Sequence, residues 1–425
     1  MKNFKLKLGS FGPVIKNASW LTLFEILRMV MPFIALPYII SVVGMENNGR
    51  VVFVQSIIPI FALFVNLGLD ISAVKDVAVY RHDQQQLNRI VSTVISIKLL
   101  MCVVSFLLMY VVLLLVPQLG ALSLIFYFAF IACISDIFLP VWYFQGKEEM
   151  KKLTIIRFFA ITFYTASIFL WIRQPDDYPY IALLNSVSLV LSSLIACYFV
   201  FVKDKIRFQL PPLSFMIKAF KASSPFFMSR ISLTININMA KIMSYFFFSG
   251  TVVTSFEIAQ KIVNGGMMPV QMFSQALYPN LSHSQDKRML RSSFGITALF
   301  TTGVSVFVFL IAGIAVRLLS HGLAPPEAVV ILRILCVFLF FSGFSVFMGS
   351  SALVAFGHQK PFNMSVVWST VILIACYGVI IATNHHAGYM YALALVAAEL
   401  MVCGYRFYAC RKYGLLSLKN LRGYL

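Results

Sequence analysis

"SRISLTININMAK", residues 229–241, places Arg230, Thr234, Asn236, Asn238 and Lys241 inside a stretch otherwise apolar enough to cross a bilayer. Two cations stand there with no acidic residue between them. A helix facing lipid does not tolerate this, because each central charge costs about 2.5–3.5 kcal/mol on the insertion scale. The helix therefore has to face protein or water, and the rest of the fold must provide that environment.

Outward from this stretch the chain is apolar throughout. Of its 425 residues, 60% are hydrophobic and only 12% charged. Apolar runs of about 20 residues are the mark of membrane helices, and their continuity excludes a barrel of alternating strands. Twelve spans are expected, at roughly 17–43, 50–74, 89–116, 121–144, 153–172, 180–202, 224–249, 251–281, 294–319, 329–356, 362–383 and 389–409. The longest segment outside them, 203–223, is too short for a soluble catalytic domain. The first span is long and lacks a small-residue cleavage site, so it is expected to be retained. The fold class is an all-α polytopic membrane protein.

The net charge of +19 invites a nucleic-acid reading, but its placement opposes one. With the N-terminus inside, cytoplasmic ends and loops hold 26 of the 34 Lys and Arg. The other side holds Arg50, Arg173, Arg317 and Arg333, and the spans hold Arg28, Arg230, Lys241 and Lys261. This positive-inside bias puts both termini in the cytoplasm, and the basic ends meet anionic membrane lipids. No nucleic-acid partner is expected.

The seven cysteines fall in or beside spans with no CxxC pair and read as packing residues. The His385–His386 pair has no carboxylate or thiolate partner at ligand spacing, so neither a metal nor a cofactor is expected. No phosphate-binding loop, dinucleotide fingerprint or hydrolase motif is present. The expectation is a protein that is not an enzyme.

The basic loop 203–223 divides the spans six and six, giving halves 1–210 and 211–425. Transporters are often built from two such halves with the substrate site between them. "GRVV" at 49–52 and "GTVV" at 250–253 follow the first hairpin of each half. Spans 1, 2, 7 and 8 are the polar ones and hold equivalent places. Span 1 has Glu25 and Arg28; span 2 has Gln55, Asn66 and Asp70 on one face. Span 8 carries Glu257, Gln260, Lys261, Asn264, Gln271 and Gln275 on a stripe about 100° wide. On span 7, Arg230, Thr234, Asn238 and Lys241 share a stripe, while Asn236 points elsewhere and joins helices by hydrogen bonding. Two six-helix bundles around a central cationic cavity satisfy all four stripes.

Plainer readings stand beside this one. Arg230 is about two turns from its helix end and can snorkel to the surface. Glu25–Arg28 and Glu257–Lys261 can be intrahelical pairs that neutralise each other. Lys241 has no acid within four residues and points to function. Pro32, Pro37, Pro59 and the "GGMMP" run at 265–269 are expected to interrupt the polar helices and let them bend.

Three stretches carry a family likeness. "MPFIALPYIISVVGMENNGRVVFVQSI" (31–57), "NLGLDISAVKDVA" (66–78) and "PVWYFQGKEEMKKL" (140–153) occur in order. In these the chain resembles the Wzx-type O-antigen flippases, polysaccharide transporters of the multidrug/oligosaccharidyl-lipid/polysaccharide exporter superfamily. The resemblance implies translocation of an undecaprenyl-diphosphate-linked oligosaccharide from the cytoplasmic to the periplasmic leaflet of the bacterial inner membrane. It also implies contact with an O-antigen polymerase and chain-length regulator. Arg28, Arg230, Asn238, Lys241, Lys261, Asn264 and Gln271 are then the candidate substrate-binding residues, the cations for phosphate oxygens and the amides for sugar hydroxyls. Glu25, Asp70, Asp136 and Glu257 are candidate carboxylates for proton or sodium antiport. A multidrug exporter of the same superfamily is the runner-up, opposed by four cations against three acids in the polar spans; an O-antigen polymerase, which would need large periplasmic loops, ranks third.

Overall fold

The computed structural model describes residues 2–383 and 387–416, and the side chains among them other than those of 2–29, 224–226, 228 and 229. Every regular element among these residues is helical. The first helices are α1 (Lys2–Asn66), α2 (Leu69–Val79), α3 (Gln84–Leu115), α4 (Pro117–Gly120) and α5 (Ser123–Phe138). They are followed by α6 (Val141–Gly146), α7 (Met150–Trp171), α8 (Tyr178–Cys197) and α9 (Leu213–Phe247). The chain ends with α10 (Gly250–Ser284), α11 (Lys287–Leu319), α12 (Pro326–Val346), α13 (Gln359–Ala382) and α14 (Gly388–Lys412). π-helical turns extend α8 over Tyr198–Lys203 and α12 over Phe347–Val354.

Nine helices among the described residues are long and apolar enough to cross a membrane. Two features separate this from the twelve spans read in the sequence. Expected spans 1 and 2 are merged in α1, and the polar α9 and α10 are absent from the nine, although each is 35 residues long. The lipid-facing character of the others is plain in α11, where Leu299 and Leu310 are 78% and 73% exposed. Apolar surface of this extent is stable only against hydrocarbon or another protein. The chain is a multi-pass membrane protein.

The chain forms two compact units. One comprises residues up to 43 together with 54–231; the other comprises residues 44–53 together with 232–425. In the first, α5 packs on α8 and α2 on α6; in the second, α12 packs on α14, α10 and α11.

The break in α1 is at Gly44, whose φ of 79° and ψ of 168° belong to a region that only glycine occupies without strain. The expected proline interruptions are absent. α1 is helical through Pro32, Pro37 and Pro59, and α10 runs unbroken through Pro269 and Pro279. A membrane helix tolerates the lost hydrogen bond where neighbouring groups and small local adjustments satisfy the freed carbonyl. Gly266, before Pro269, serves packing instead. A Cβ on Gly266 would lie 2.8 Å from Leu339 and 2.9 Å from Val304, so this face of α10 admits α12 and α11 closely.

Within the second unit, residues 44–53 clasp the start of α10. Glu46 Oε2 accepts from the Thr251 backbone N–H at 3.0 Å, Thr254 Oγ1 donates to the Met45 carbonyl at 2.7 Å, and Asn48 Nδ2 donates to Thr254 Oγ1 at 3.1 Å. The leading glycines of "GRVV" and "GTVV" meet here: a Cβ on Gly49 would fall 1.8 Å from the Gly250 carbonyl oxygen. The motif at 140–146 is likewise structural. Trp142, Tyr143 and Phe144 are fully buried, and a Cβ on Gly146 would strike Val77 at 2.6 Å, which fixes α6 against α2.

Candidate functional site

Three buried polar clusters stand out, one in the first unit and two in the second. In the first unit Lys98 of α3 is 1% exposed. Its ammonium donates to Asp70 Oδ1 at 2.8 Å, lies 3.6 Å from Asp136 Oδ2, and reaches the Asp136 carbonyl at 3.4 Å. Asn66 Nδ2 donates to Asp136 Oδ2. Both carboxylates keep about a third of their side chain accessible, at 31% and 34%. Arg230, exposed on α9, acts electrostatically on Asp70. A turn at Leu67 and Gly68, both with positive φ, ends α1 and sets Asp70 in the first turn of α2. Asn66 and Asp70 therefore lie on separate helices and not on one continuous stripe; the three-dimensional turn reunites them.

In the second unit Lys241 of α9 and Lys261 of α10 hold one carboxylate. Lys241 Nζ donates to Glu257 Oε2 at 3.0 Å, and Lys261 Nζ lies 2.7 Å from Glu257 Oε1. The local reason is the tight hairpin between Phe247 and Gly250, which brings position 241 alongside 257. Lys241, without an acid near it in sequence, finds one across the turn. The cluster carries one formal positive charge, and each ammonium keeps donors beyond the one that meets Glu257. Lys261 is the more accessible, at 25% against 11% for Lys241.

The remaining amides divide. Asn238 is buried and donates to the Thr234 carbonyl of its own helix at 3.0 Å. Asn264 and Gln271 are exposed on α10. Asn236 joins α9 to α13 through Ser369, as its position off the stripe leads one to expect. Glu25 and Arg28 lie outside the described side chains.

The third cluster, also in the second unit, centres on α14. Arg406 of α14 is 7% exposed and donates to the Ser345 carbonyl and hydroxyl at 2.8 and 3.0 Å and to the Ser365 hydroxyl at 2.9 Å. Ser345 and Arg406 line one cavity together with Glu399. Lys98, Glu399 and Arg406 are the residues that reading the sequence missed. Lys98 and Arg406 were counted among the inner-side charges, yet both are buried in spanning helices. Asp70 and Asp136, two intramembrane acids without a partner in sequence, were the available signal for Lys98. The i,i+7 spacing of Glu399 and Arg406 was the signal for the other pair.

Outside the spans, Asp204 receives Lys147 Nζ at 2.8 Å and the Tyr143 hydroxyl at 2.9 Å. Burial pushes its carboxyl up, but these hydrogen bonds and the charges of Lys147 and Lys152 outweigh burial and hold it below its ordinary value.

Among the described residues no group of acidic, histidine and cysteine side chains could hold a metal ion. The arrangement suits charge recognition. Two lysines around one carboxylate form a site where an anion, or a proton on that carboxylate, changes the electrostatic balance directly.

Comparison with known proteins agrees with a transporter architecture. Residues 14–285 match the family described as "Polysaccharide biosynthesis protein". A protein of Escherichia coli (strain K12) named "Putative O-antigen transporter" is 22% identical over 354 residues, covering 82% of this chain and 85% of its own. A protein of the same name from Shigella dysenteriae is 27% identical over 276 residues, covering 63% and 67%. In fold, the chain is similar to an inward-facing multidrug resistance MATE family transporter of the MOP superfamily, with a TM-score of 0.73 at 15% identity over 93% of this chain and 98% of that one. It is also similar to the lipid II flippase MurJ in an inward closed conformation, with a TM-score of 0.69 at 18% identity over 92% and 87%.

Proposed function

The chain belongs to the polysaccharide biosynthesis protein family, and we propose that it translocates a polyprenyl-diphosphate-linked oligosaccharide across the bacterial inner membrane. The substrate is then an undecaprenyl-diphosphate-linked O-antigen repeat unit, carried from the cytoplasmic to the periplasmic leaflet by alternating access. The observation that carries this reading is the Lys241–Glu257–Lys261 cluster. A diphosphate cannot enter a low-dielectric region without compensating charge, and lysine ammoniums supply charge-assisted hydrogen bonds to phosphate oxygens. Arg28 and Arg230 are further candidate cations for phosphate oxygens, and Asn238, Asn264 and Gln271 would meet sugar hydroxyls. The names of the relatives support the same substrate class. The multidrug exporter alternative has fold likeness alone on its side.

The same cluster offers a route for coupling. With Glu257 ionised, the lysines are held by protein. A diphosphate that enters competes with Glu257 for these ammoniums, and Glu257 is a candidate carboxylate for the antiported proton or sodium ion. Asp70 and Asp136, each a third accessible, are further candidates for the coupling ion, as is Glu25. In this reading both termini are cytoplasmic, a proposal supported by the positive-inside bias.

The test is genetic and chemical. Removing the protein from its host should leave the lipid-linked oligosaccharide intact but confined to the cytoplasmic leaflet, where a periplasmic glycosidase or lectin does not reach it. Unchanged periplasmic access would refute the assignment.

A further inference from the structure

The second unit contains a half-open cavity of about 390 Å³ lined by α9, α10, α12, α13 and α14. This is within the roughly 300–1,000 Å³ common for small-ligand sites. Its walls are mostly apolar, with Leu335, Phe338 and Leu373 among them, and its polar groups are few and converge. Asn236 points its amide carbonyl oxygen into buried space, where it has no hydrogen-bond partner among the described residues; its amide nitrogen makes only a long contact of 3.4 Å with Ser369. A buried acceptor left open in this way asks for a donor. From α14, Glu399 and Arg406 both line the cavity, and Arg406 donates to the Ser345 hydroxyl at 3.0 Å. The carboxylate and the guanidinium together give this wall no net formal charge.

We infer that this cavity is a sugar subsite, which takes one ring of the oligosaccharide between Asn236, Ser369 and Glu399. The inference rests on the flippase reading and deepens it. Three features favour a sugar over other occupants. Two hydroxyls of one sugar ring can donate, one to the Asn236 oxygen and one to Glu399, and the carbon-bound faces of the ring suit the apolar walls. A metal cation gains little from a wall whose carboxylate is offset by Arg406. An acyl chain would leave the Asn236 oxygen unpaired. Position is the fourth argument. Gln260 and Asn264 line the cavity from the same α10 stripe that carries Glu257 and Lys261. Asn264 is one helical turn, roughly 5 Å, from Lys261. In a diphosphate-linked oligosaccharide the first sugar is bonded directly to the phosphate. A diphosphate held at Lys261 therefore delivers that sugar to the level of the cavity.

The test measures binding to the full chain in nanodiscs. The probes are a polyprenyl diphosphate with no sugar, and the same lipid bearing one hexose or one N-acetylhexosamine from a small panel. For at least one sugar, wild type should bind the glycosylated lipid ~10–100-fold more tightly than the bare lipid, the range expected when polar groups are built for a particular hydroxyl. Asn236→Ala and Glu399→Gln should each bring that ratio close to one and leave bare-lipid affinity at the wild-type level, which also reports that the variants are folded. A ratio unchanged in both variants, or no sugar preferred by wild type, overturns the subsite while the flippase reading stands. Loss of radioactive sodium binding in the variants, with the sugar ratio intact, overturns it in favour of a cation site. Failure of wild type to bind even the bare lipid defeats the flippase reading, and the subsite with it.

Discussion

Lys241 on α9 donates to Glu257 on α10 across 3.0 Å, although sixteen residues separate them in sequence. This contact turns the most anomalous residue of an apolar helix into half of a charge relay, because Glu257 is also held by Lys261. What looks like an isolated cation is a cation poised against a single, shared counter-charge.

Neutralising that counter-charge should separate structure from coupling. Glu257→Gln leaves two largely buried ammoniums facing each other, and breaking a buried ion pair in this way costs about 3–5 kcal/mol. Less folded protein is expected. In vesicles, the surviving protein should transport with weakened dependence on the ion gradient. Wild-type gradient dependence in Glu257→Gln would place the coupling group elsewhere.

The first unit gives a stricter test of pairing. Lys98→Ala leaves Asp70 and Asp136, each about a third accessible, without their shared counter-charge, and a loss of about 1.5–3 kcal/mol is expected from the lost charge-assisted hydrogen bonds. Lys98→Met combined with Asp70→Asn and Asp136→Asn should recover most of it, because no charge remains to be desolvated. Thermal midpoints of the purified variants decide this. Equal midpoints for Lys98→Ala and the triple variant would show that charge is not what the cluster contributes.

Close approach of Gly49 and Gly250 predicts a steric effect independent of charge. Gly49→Ala puts a methyl group 1.8 Å from the Gly250 carbonyl oxygen, so the backbone must shift. A destabilisation of about 1–3 kcal/mol is expected, the usual range for overpacking. Gly303→Ala, where nothing lies within 4 Å of the added atom, is the control and should be close to neutral. The two midpoints should differ; identical values would contradict the clasp.

Asp204 predicts a pH dependence. Its carboxyl is held below the ordinary value of 3.8, so it contributes stability above that pH and loses it as pH falls through the lowered folded value. Asp204→Asn should therefore be less stable than wild type near neutral pH, and the gap should close progressively below about pH 4. Thermal unfolding across that range checks the sign; a gap that widens on acidification would contradict it.

These clusters also show what sequence patterning can and cannot carry. Hydropathy finds membrane helices because every spanning backbone must satisfy its own hydrogen bonds, and only long apolar helices do so here. The polar stripes of α9 and α10 were legible because helical periodicity alone sets which residues share a face. Partners across a turn were not legible. Lys241 to Glu257 depends on the hairpin, and Lys98 to Asp136 on the docking of α3 against α5, neither of which is a local property. Prolines misled for a related reason: whether Pro269 breaks a helix depends on the neighbours that satisfy its freed carbonyl. Gly44, which does break one, lies in the gap between the first two expected spans, 17–43 and 50–74.

The central claim, that the lysines of the second unit carry a diphosphate, is tested most directly in proteoliposomes. The purified chain is reconstituted with a polyprenyl-diphosphate-linked oligosaccharide bearing a fluorescent sugar, and transfer between leaflets is followed with an impermeant quencher at equal amounts of folded protein. Wild type and Lys241→Arg should transfer the lipid, because charge and donors are retained, whereas Lys241→Ala and Lys261→Ala should each reduce the rate at least ~10-fold, as expected from losing a charge-assisted hydrogen bond of about 1.5–3 kcal/mol. Transfer at the wild-type rate by the double variant Lys241→Ala, Lys261→Ala would contradict the account.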